Sequence, residues 1–416
     1  MKILVLTPYC YPEQAASSYL GKNRNEAFVL NGIEIVVYAP VPCRGISEDV
    51  IKEYKKKKHR CESYLDGHRV VHRFSMFKEG TNPILRAIRY FLIAIKHINR
   101  ALFAKDALSC DAMFIASTPP FQGALAALIK KFRHIPIIYN LQDIFPDSLV
   151  GTGLAKKGGL LWKIGRVIEN FTYRNADKII VISEDFKRNI MAKGVPEEKI
   201  EVIYNWVDEE AIVSITDDDN PLFSEFSIEK DSFRVVYAGN LGHAQNIKII
   251  LEAASKLKDD ESIKFIIFGK GGLENDIRER IKKEGLTNVM LLPLQPYDRV
   301  SYVYSLGNVD IVSCKEGLGG SAMPSKTWSI MSTGRPVLAS FDEGELKTII
   351  EKNDCGMFTK AGDIDAFVGA IKQLASQKER CAEMGRNGRE FILHNLTKEV
   401  GTRKYVDVIK QFASKS

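Results

Sequence analysis

The chain has 416 residues, of which 45% are hydrophobic and 27% charged, with a net charge of +7. This is ordinary globular material with ample core, and its length suits two domains or one large one. Seven cysteines, odd in number and never spaced C-x-x-C, argue against a disulfide frame or a zinc site and for reduced thiols in the cytoplasm.

Residues 1–205 are basic and residues 206–416 mildly acidic, so the first half is expected to meet an anionic partner or surface. No aromatic-interleaved basic motif accompanies that charge, and no nucleic acid is expected. Residues 3–7 (ILVLT) form an apolar run too short for a signal peptide and read as a first core strand. No run approaches the ~18 apolar residues of a membrane span, so a soluble protein is expected.

After a Pro/Ser loop at 8–18, residues 19–30 read as a helix stopped by Asn31-Gly32, and 33–38 (IEIVVY) as the next strand. Residues 70–74, 111–117, 136–141 and 178–183 continue the strands, with helices such as 122–132 and 160–173 between them. Lys55–Lys58 with His59 and Arg60 form a compact basic run. Residues 83–105 place apolar residues on one helical face among Arg86, Arg89, Lys96, Arg100 and Lys105. Such a helix either lies on an anionic bilayer or turns its apolar face to the core.

The pattern breaks after 202–205, at the acidic interval 216–220 (TDDDN), which reads as a solvated linker rather than a metal site. It restarts at 234–238 and continues through 264–268, 289–292, 309–314 and 336–339. Continuous Val/Ile/Leu strands alternating with helices mean parallel sheets covered on both faces. The expected fold is therefore α/β, two Rossmann-like domains with a cleft between them.

In open α/β sheets ligands bind beyond the carboxyl ends of the strands. Four such loops in the second half are small, polar or glycine-rich. They are Gly239-Asn240-Leu241-Gly242-His243-Ala244-Gln245, Gly269-Lys270-Gly271-Gly272, Pro293-Leu294-Gln295-Pro296-Tyr297 and the stretch 317–325. In the last, Pro324 stands where a helix can begin. Unpaired first-turn amides, the helix dipole and Lys326 then suit a diphosphate; the alternative is a plain βα turn with a solvated lysine. No G-x-G-x-x-G follows the first strand and no G-x-x-x-x-G-K-[ST] occurs, which counts against a dinucleotide dehydrogenase and a P-loop enzyme.

Several segments together resemble glycosyltransferase family 4. They are Tyr11-Pro12-Glu13 before residues 15–18, Ala116-Ser117-Thr118-Pro119-Pro120, Asp143-Ile144-Phe145-Pro146-Asp147-Ser148, Asn175-Ala176-Asp177 with Val181-Ile182-Ser183, 237–245 (YAGNLGHAQ), Pro324-Ser325-Lys326 and Gly334-Arg335-Pro336-Val337. The family consists of retaining enzymes of the GT-B fold. The likeness extends to the branch that builds O-antigen and capsule repeat units, including N-acetyl-fucosamine-type transferases.

The resemblance implies an acceptor-binding domain at 1–205, a nucleotide-sugar domain at 206–397 and a helix within 398–416 crossing back to the first. It puts the base, UDP in most relatives, at Leu294 and Gln295, and the diphosphate at Gly320, Ser321, Pro324 and Ser325 with Lys326 as its cation. Asn240, Leu241, Gly242, His243, Gln245 and Gly269 complete the expected donor site. Asn240 and Gln245 stand where many relatives carry an arginine and a lysine, and the glutamates of the family's E-x7-E pattern fall at Ser321 and Ser329.

In the first domain, Asp143 either serves the acceptor or a sugar hydroxyl, or caps the turn that follows it. Glu13 carries the same two readings, and Ala16, Ser17 and Ser18 form a small-residue loop for substrate approach. No metal and no cofactor beyond the donor are expected, because no Asp-x-Asp pair is a credible ligand set: Asp363-Ile364-Asp365 reads as a helix cap. The implied activity is transfer to a lipid-diphosphate-linked or saccharide acceptor by a cytoplasmic enzyme, in part peripheral on the inner membrane face. A UDP-sugar 2-epimerase and a non-catalytic nucleotide-sugar-binding partner are the competing readings.

Overall fold

Runs of valine, isoleucine and leucine between amphipathic helices fold as parallel sheets buried on both faces, and the computed structural model has two of them. It describes residues 1–13, 18–80, 82–151, 155–321 and 323–412. The first unit comprises Met1–Val150, Ala155–Tyr204 and the chain from Gly401; the second comprises Asn205–Val400.

The sheet of the first unit contains β1 (Lys2–Leu6), β2 (Glu34–Pro40), β3 (Cys61–Tyr64), β4 (Arg69–Phe74), β5 (Ala112–Ala116), β6 (Ile137–Leu141), β7 (Lys178–Val181) and β8 (Ile200–Val202). Their spatial order is β3-β4-β2-β1-β5-β6-β7-β8. Every neighbouring pair is parallel except β3 and β4. The strand order reverses direction on either side of β1, so the loops after β1 and β5 lie at the switch point where α/β sheets take ligands. The C-terminal helix Lys398–Lys410 belongs to this unit from Gly401 onward. It buries Tyr405, whose hydroxyl donates to Asn140 Oδ1 at 3.0 Å in the middle of β6. The Arg24 guanidinium lies 4.5 Å from the Phe114 ring and 5.6 Å from that of Tyr405, so a cation is buried here against aromatic faces.

The second sheet contains β9 (Phe233–Asn240), β10 (Ile263–Lys270), β11 (Val289–Pro293), β12 (Val309–Ser313), β13 (Val337–Phe341) and β14 (Gly356–Lys360). It is parallel throughout, in the order β11-β10-β9-β12-β13-β14. Side chains alternate between two cores with the period of a strand. Phe233, Val235, Tyr237, Phe265 and Ile267 pack on one face with Ile250 and Phe367. Val236, Ile266 and Phe268 pack on the other with Leu222, Phe223 and Leu306.

The acidic interval is only in part the solvated linker expected, because Asp217 accepts from the buried Arg234 at 2.7 Å. Arg234 also donates to the carbonyl of Leu306 at 2.6 Å, so Asp217 neutralises a charge that anchors β9. Asp363 does cap the helix Ile364–Ser376, its side chain accepting from the Ala366 amide.

Candidate active site

The C-terminal end of β9 meets the helix after β12 at one cation. Lys326 opens the helix Lys326–Ser332, and its Nζ is buried without a hydrogen-bond partner. It lies 4.0 Å from the centre of the Tyr237 ring. Tyr237 is itself fixed, donating through its hydroxyl to the Asn240 carbonyl at 2.8 Å. Gly239 makes the space: a Cβ there would come within 2.9 Å of Lys326 Nζ, and its φ of +147° is one that side-chain-bearing residues rarely adopt. Burial lowers the lysine to about 7, because a low-dielectric setting penalises the ammonium.

The helix begins later than expected. Pro324 lies two residues before it, and the amides of Thr327 and Trp328 donate to the carbonyls of Pro324 and Ser325 at 3.0 and 3.1 Å. Two amides expected to face a diphosphate are thus already paired inside the turn. The positive charge of the site rests on the Lys326 ammonium. Gly320 and the backbone of Ser321 form the short 3-10 turn Gly319–Ser321, which is tied by the Gly319 amide to Asp342 Oδ2 at 2.7 Å. Ser325 is exposed, and Ser329 lies half-buried inside the helix.

Leu241 and Gly269 pack against each other. Leu241 is fully buried. Its amide donates to the Lys270 carbonyl and its own carbonyl accepts from the Leu273 amide, both at 3.0 Å. A Cβ on Gly269 would approach the Leu241 side chain to 2.6 Å. The pair is a packed latch that clamps the β9 loop to the β10 loop. Around it, the carboxamides of Asn240 and Gln245 flank Gly242, within 2.9 and 3.0 Å of where its Cβ would stand. Gln245 Oε1 is buried and unpartnered, while His243 is exposed.

Leu294 and Gln295 line a small depression of about 90 Å³ together with Ala238, Gly239, Phe268 and Tyr304. The Gln295 side chain is tied within its own loop, donating to the Pro293 carbonyl at 3.0 Å and accepting from Arg299 at 2.8 Å. What the loop offers the depression is backbone groups and apolar surface. Gly239 joins the two parts, lining the depression and making room for the Lys326 ammonium. Phe268 and Tyr304 carry no assigned role in the sequence; the signal of Phe268 is its place near the end of β10, whereas Tyr304 lies in the helix Val300–Ser305.

In the first unit, Asp143 follows β6. It is exposed by surface area, yet enough protein surrounds its carboxyl that desolvation raises it above the usual carboxylate range. Hydrogen bonds with the Ser148 side chain and the Ile144 backbone oppose that shift. Asp143 therefore does hold the following turn, while remaining accessible. Glu13 is committed to structure: one oxygen accepts from the Cys10 amide at 3.0 Å, the other from the amides of Cys43 and Arg44 at 2.9 and 3.0 Å. It staples the loop after β1 to the segment after β2 through both carboxylate oxygens. Ser18 opens the helix Ser18–Leu30, and Ala16 and Ser17 lie outside the described residues.

Comparison with known proteins places this architecture. A family model described as Glycosyltransferase Family 4 matches residues 26–211, and one described as Glycosyl transferases group 1 matches residues 218–391. The chain belongs to glycosyltransferase family 4 and has the GT-B fold. WcaI of Escherichia coli K12, described as a colanic acid biosynthesis glycosyl transferase, is 26% identical over 289 residues, covering 68% of this chain and 70% of its own. WbjE of Pseudomonas aeruginosa, described as a glycosyltransferase, is 22% identical over 429 residues, 100% of this chain and 99% of its own. Among solved structures, Anabaena HepE in complex with UDP superposes with a TM-score of 0.73 at 16% identity, over 99% of this chain and 100% of that one. At that identity the likeness is one of fold.

Proposed function

We propose that the chain is a retaining, metal-independent glycosyltransferase of surface polysaccharide synthesis, of the O-antigen or capsule kind. It takes a sugar from a UDP-linked donor and passes it to a lipid-diphosphate-linked or saccharide acceptor. The observation that carries the proposal is the unpartnered, buried ammonium of Lys326 beside Gly239 and the apolar depression. A diphosphate supplies the charge that this ammonium lacks, and the depression suits the flat face of a base. HepE has been solved with UDP and with UDP-glucose, and WcaI is described by colanic acid biosynthesis; both support the donor class and the setting. The resemblance to N-acetyl-fucosamine-type transferases supports an N-acetylated amino-deoxyhexose as the sugar.

In the reaction the acceptor hydroxyl oxygen bonds to the anomeric carbon on the face from which the diphosphate departs. The bond from that carbon to the β-phosphate oxygen breaks, and UDP leaves with the electron pair. Preorganised positive charge at Lys326 stabilises that developing anion. The acceptor proton passes to the leaving phosphate oxygen, with Asp143 orienting the hydroxyl through its accessible carboxylate.

Peripheral attachment to the inner face of the plasma membrane belongs to the same reading. The helix Pro83–Phe103 exposes Ile84, Ile88, Phe91 and Ile95, its neighbour Gln122–Arg133 exposes Leu128 and Phe132, and the next helix, Leu160–Asn175, exposes Leu161, Ile164 and Val167. Apolar patches of this kind mark interaction surfaces. Among the described residues no helix is long and apolar enough to cross a membrane.

Incubation with UDP-sugars, with and without a lipid-diphosphate sugar acceptor, tests the function. Sugar on the lipid is expected. An epimerised donor, or nucleotide binding with no product from any combination, would give the protein one of the two competing functions instead.

A further inference from the structure

A second cavity, of about 690 Å³, lies in the first unit, and none of its lining belongs to the Lys326 site. Its walls are Tyr38 of β2, His72 to Phe74 of β4, and the C-terminal half of the helix Pro83–Phe103 with the residues just beyond it. Five cations line it, Arg60, Arg73, Lys96, Arg100 and Lys105, against the single carboxylate of Asp106.

The charges are not equally engaged. Arg73 is neutralised by Glu62 and also donates to the carbonyl of Pro40 at 3.5 Å. Asp106 Oδ2 lies 2.8 Å from His72 Nε2. Lys96 is steered inward, donating to the Ser75 carbonyl at 2.7 Å with its ammonium 5.5 Å from the centre of the Phe74 ring. Arg60, Arg100 and Lys105 make no side-chain hydrogen bond or ion pair among the described residues. They come from three separate places in the chain: the end of a 3-10 turn, the last turn of a long helix, and the start of the next helix. With one carboxylate among the lining residues, the cavity holds a surplus of positive charge that the described residues do not neutralise.

We propose that this cavity is a phosphate-ester site, taking a phosphorylated headgroup or phosphorylated saccharide by its phosphate. Two guanidinium groups from different elements offer planar forks for a tetrahedral anion, which lysines alone would not. The volume is several times what a bare phosphate fills and falls within the range of pockets that enclose a small organic ligand, leaving room for a polyol against Tyr38 and Ser75. Lys96 and Arg100 share their helix with Leu92 and Ile95, both exposed within one turn of Lys96, so one rim of the site is apolar. A phosphate that carries an acyl chain and one that does not would both satisfy the cations, and only the former would use that rim.

The test titrates the intact protein, its Lys326 site saturated with UDP, with glycerol 3-phosphate, and separately with vesicles of phosphatidylcholine containing phosphatidylglycerol. The variants are Arg60→Gln/Arg100→Gln and, as a charge-matched control, Lys156→Gln/Arg174→Gln, removed from exposed positions elsewhere on the same unit. The cavity variant is expected to lose about tenfold or more in affinity for at least one probe, while the control keeps wild-type affinity. UDP-induced thermal stabilisation, which reports the Lys326 site, should be unchanged in both. Loss confined to vesicles identifies a lipid headgroup; loss confined to glycerol 3-phosphate identifies a soluble phosphate ester. Equal loss in both variants, wild-type affinity in the cavity variant, or no binding of either probe by the wild type overturns the proposal.

Discussion

An ammonium without a hydrogen-bond partner in a desolvated place is easily deprotonated, and that governs how Lys326 answers pH. Its proton is held to about pH 7 in the fold, whereas in the unfolded chain it is held to about 10.4. Between those values the unfolded state binds more protons, so this group's contribution to stability rises with pH across that window. A bound diphosphate restores the ammonium. UDP binding at pH 8 is therefore expected to take up close to one proton, and at pH 6 almost none from this group. Calorimetry in buffers of different ionisation enthalpy measures this; an uptake at pH 8 that persists in Lys326→Met would assign it elsewhere. Gly239→Ala is expected to weaken UDP about tenfold or more, since its methyl group would stand on the ammonium, and to cost about 1 kcal/mol or more through its backbone conformation.

Asp310 gives the opposite pH sign. It is fully buried in β12 with neither carboxylate oxygen hydrogen-bonded, and burial holds it well above the usual range, with Arg335 opposing. The folded state keeps this proton after the unfolded state has lost it, so stability from this residue falls as pH rises from about 4. Asp310→Asn should be more stable than wild type at pH 8 and flatter between pH 5 and 8 in urea unfolding; a lower midpoint at pH 8 would mean that the ionised carboxylate is stabilising. Lys326 was legible in the sequence from the strand, glycine loop and proline before it. Its burial against Tyr237 and Gly239 was not, because those contacts span most of a domain. Glu13 carries both a substrate and a structural reading in the sequence, because a sequence does not display the three amides that bond to it.

Among elements, the strands easiest to read were those buried on both faces. β5 is a continuous apolar run, and β6, β12 and β13 are apolar but for the buried Asn140, Asp310, Ser313 and Ser340. β3 escaped notice because it is a polar edge strand, Cys61-Glu62-Ser63-Tyr64, paired antiparallel to β4; β14 escaped because it opens on a glycine and ends on a lysine. The helix at Lys326 was placed early because Pro324 suits a first helical position, yet here the proline precedes the turn. The latch between the β9 and β10 loops was also hidden, since Leu241 is one apolar residue among small polar ones and only the fold shows what it fills. Leu241→Ala should cost about 2–5 kcal/mol in urea unfolding and weaken UDP through displacement of the loop that carries Asn240 and Gln245. A cost below about 1 kcal/mol would show that the two loops hold their positions without it.

At the scale of the whole molecule, the first unit carries the exposed apolar helices and the second carries the buried lysine. Replacing Phe91, Ile95 and Phe132 by serine is expected to abolish most sedimentation with anionic vesicles while leaving transfer to a soluble saccharide acceptor intact; unchanged sedimentation would remove these helices from the membrane. Transfer is expected to persist in excess EDTA, because the charge opposite the leaving diphosphate is assigned to Lys326, and a loss restored by added metal would reassign it. The most direct test of the account is calorimetric titration of UDP into the wild type and Lys326→Met at pH 7. The account predicts affinity lower by about tenfold to a hundredfold in the variant, with its fold retained. Equal affinity in the two proteins would contradict it.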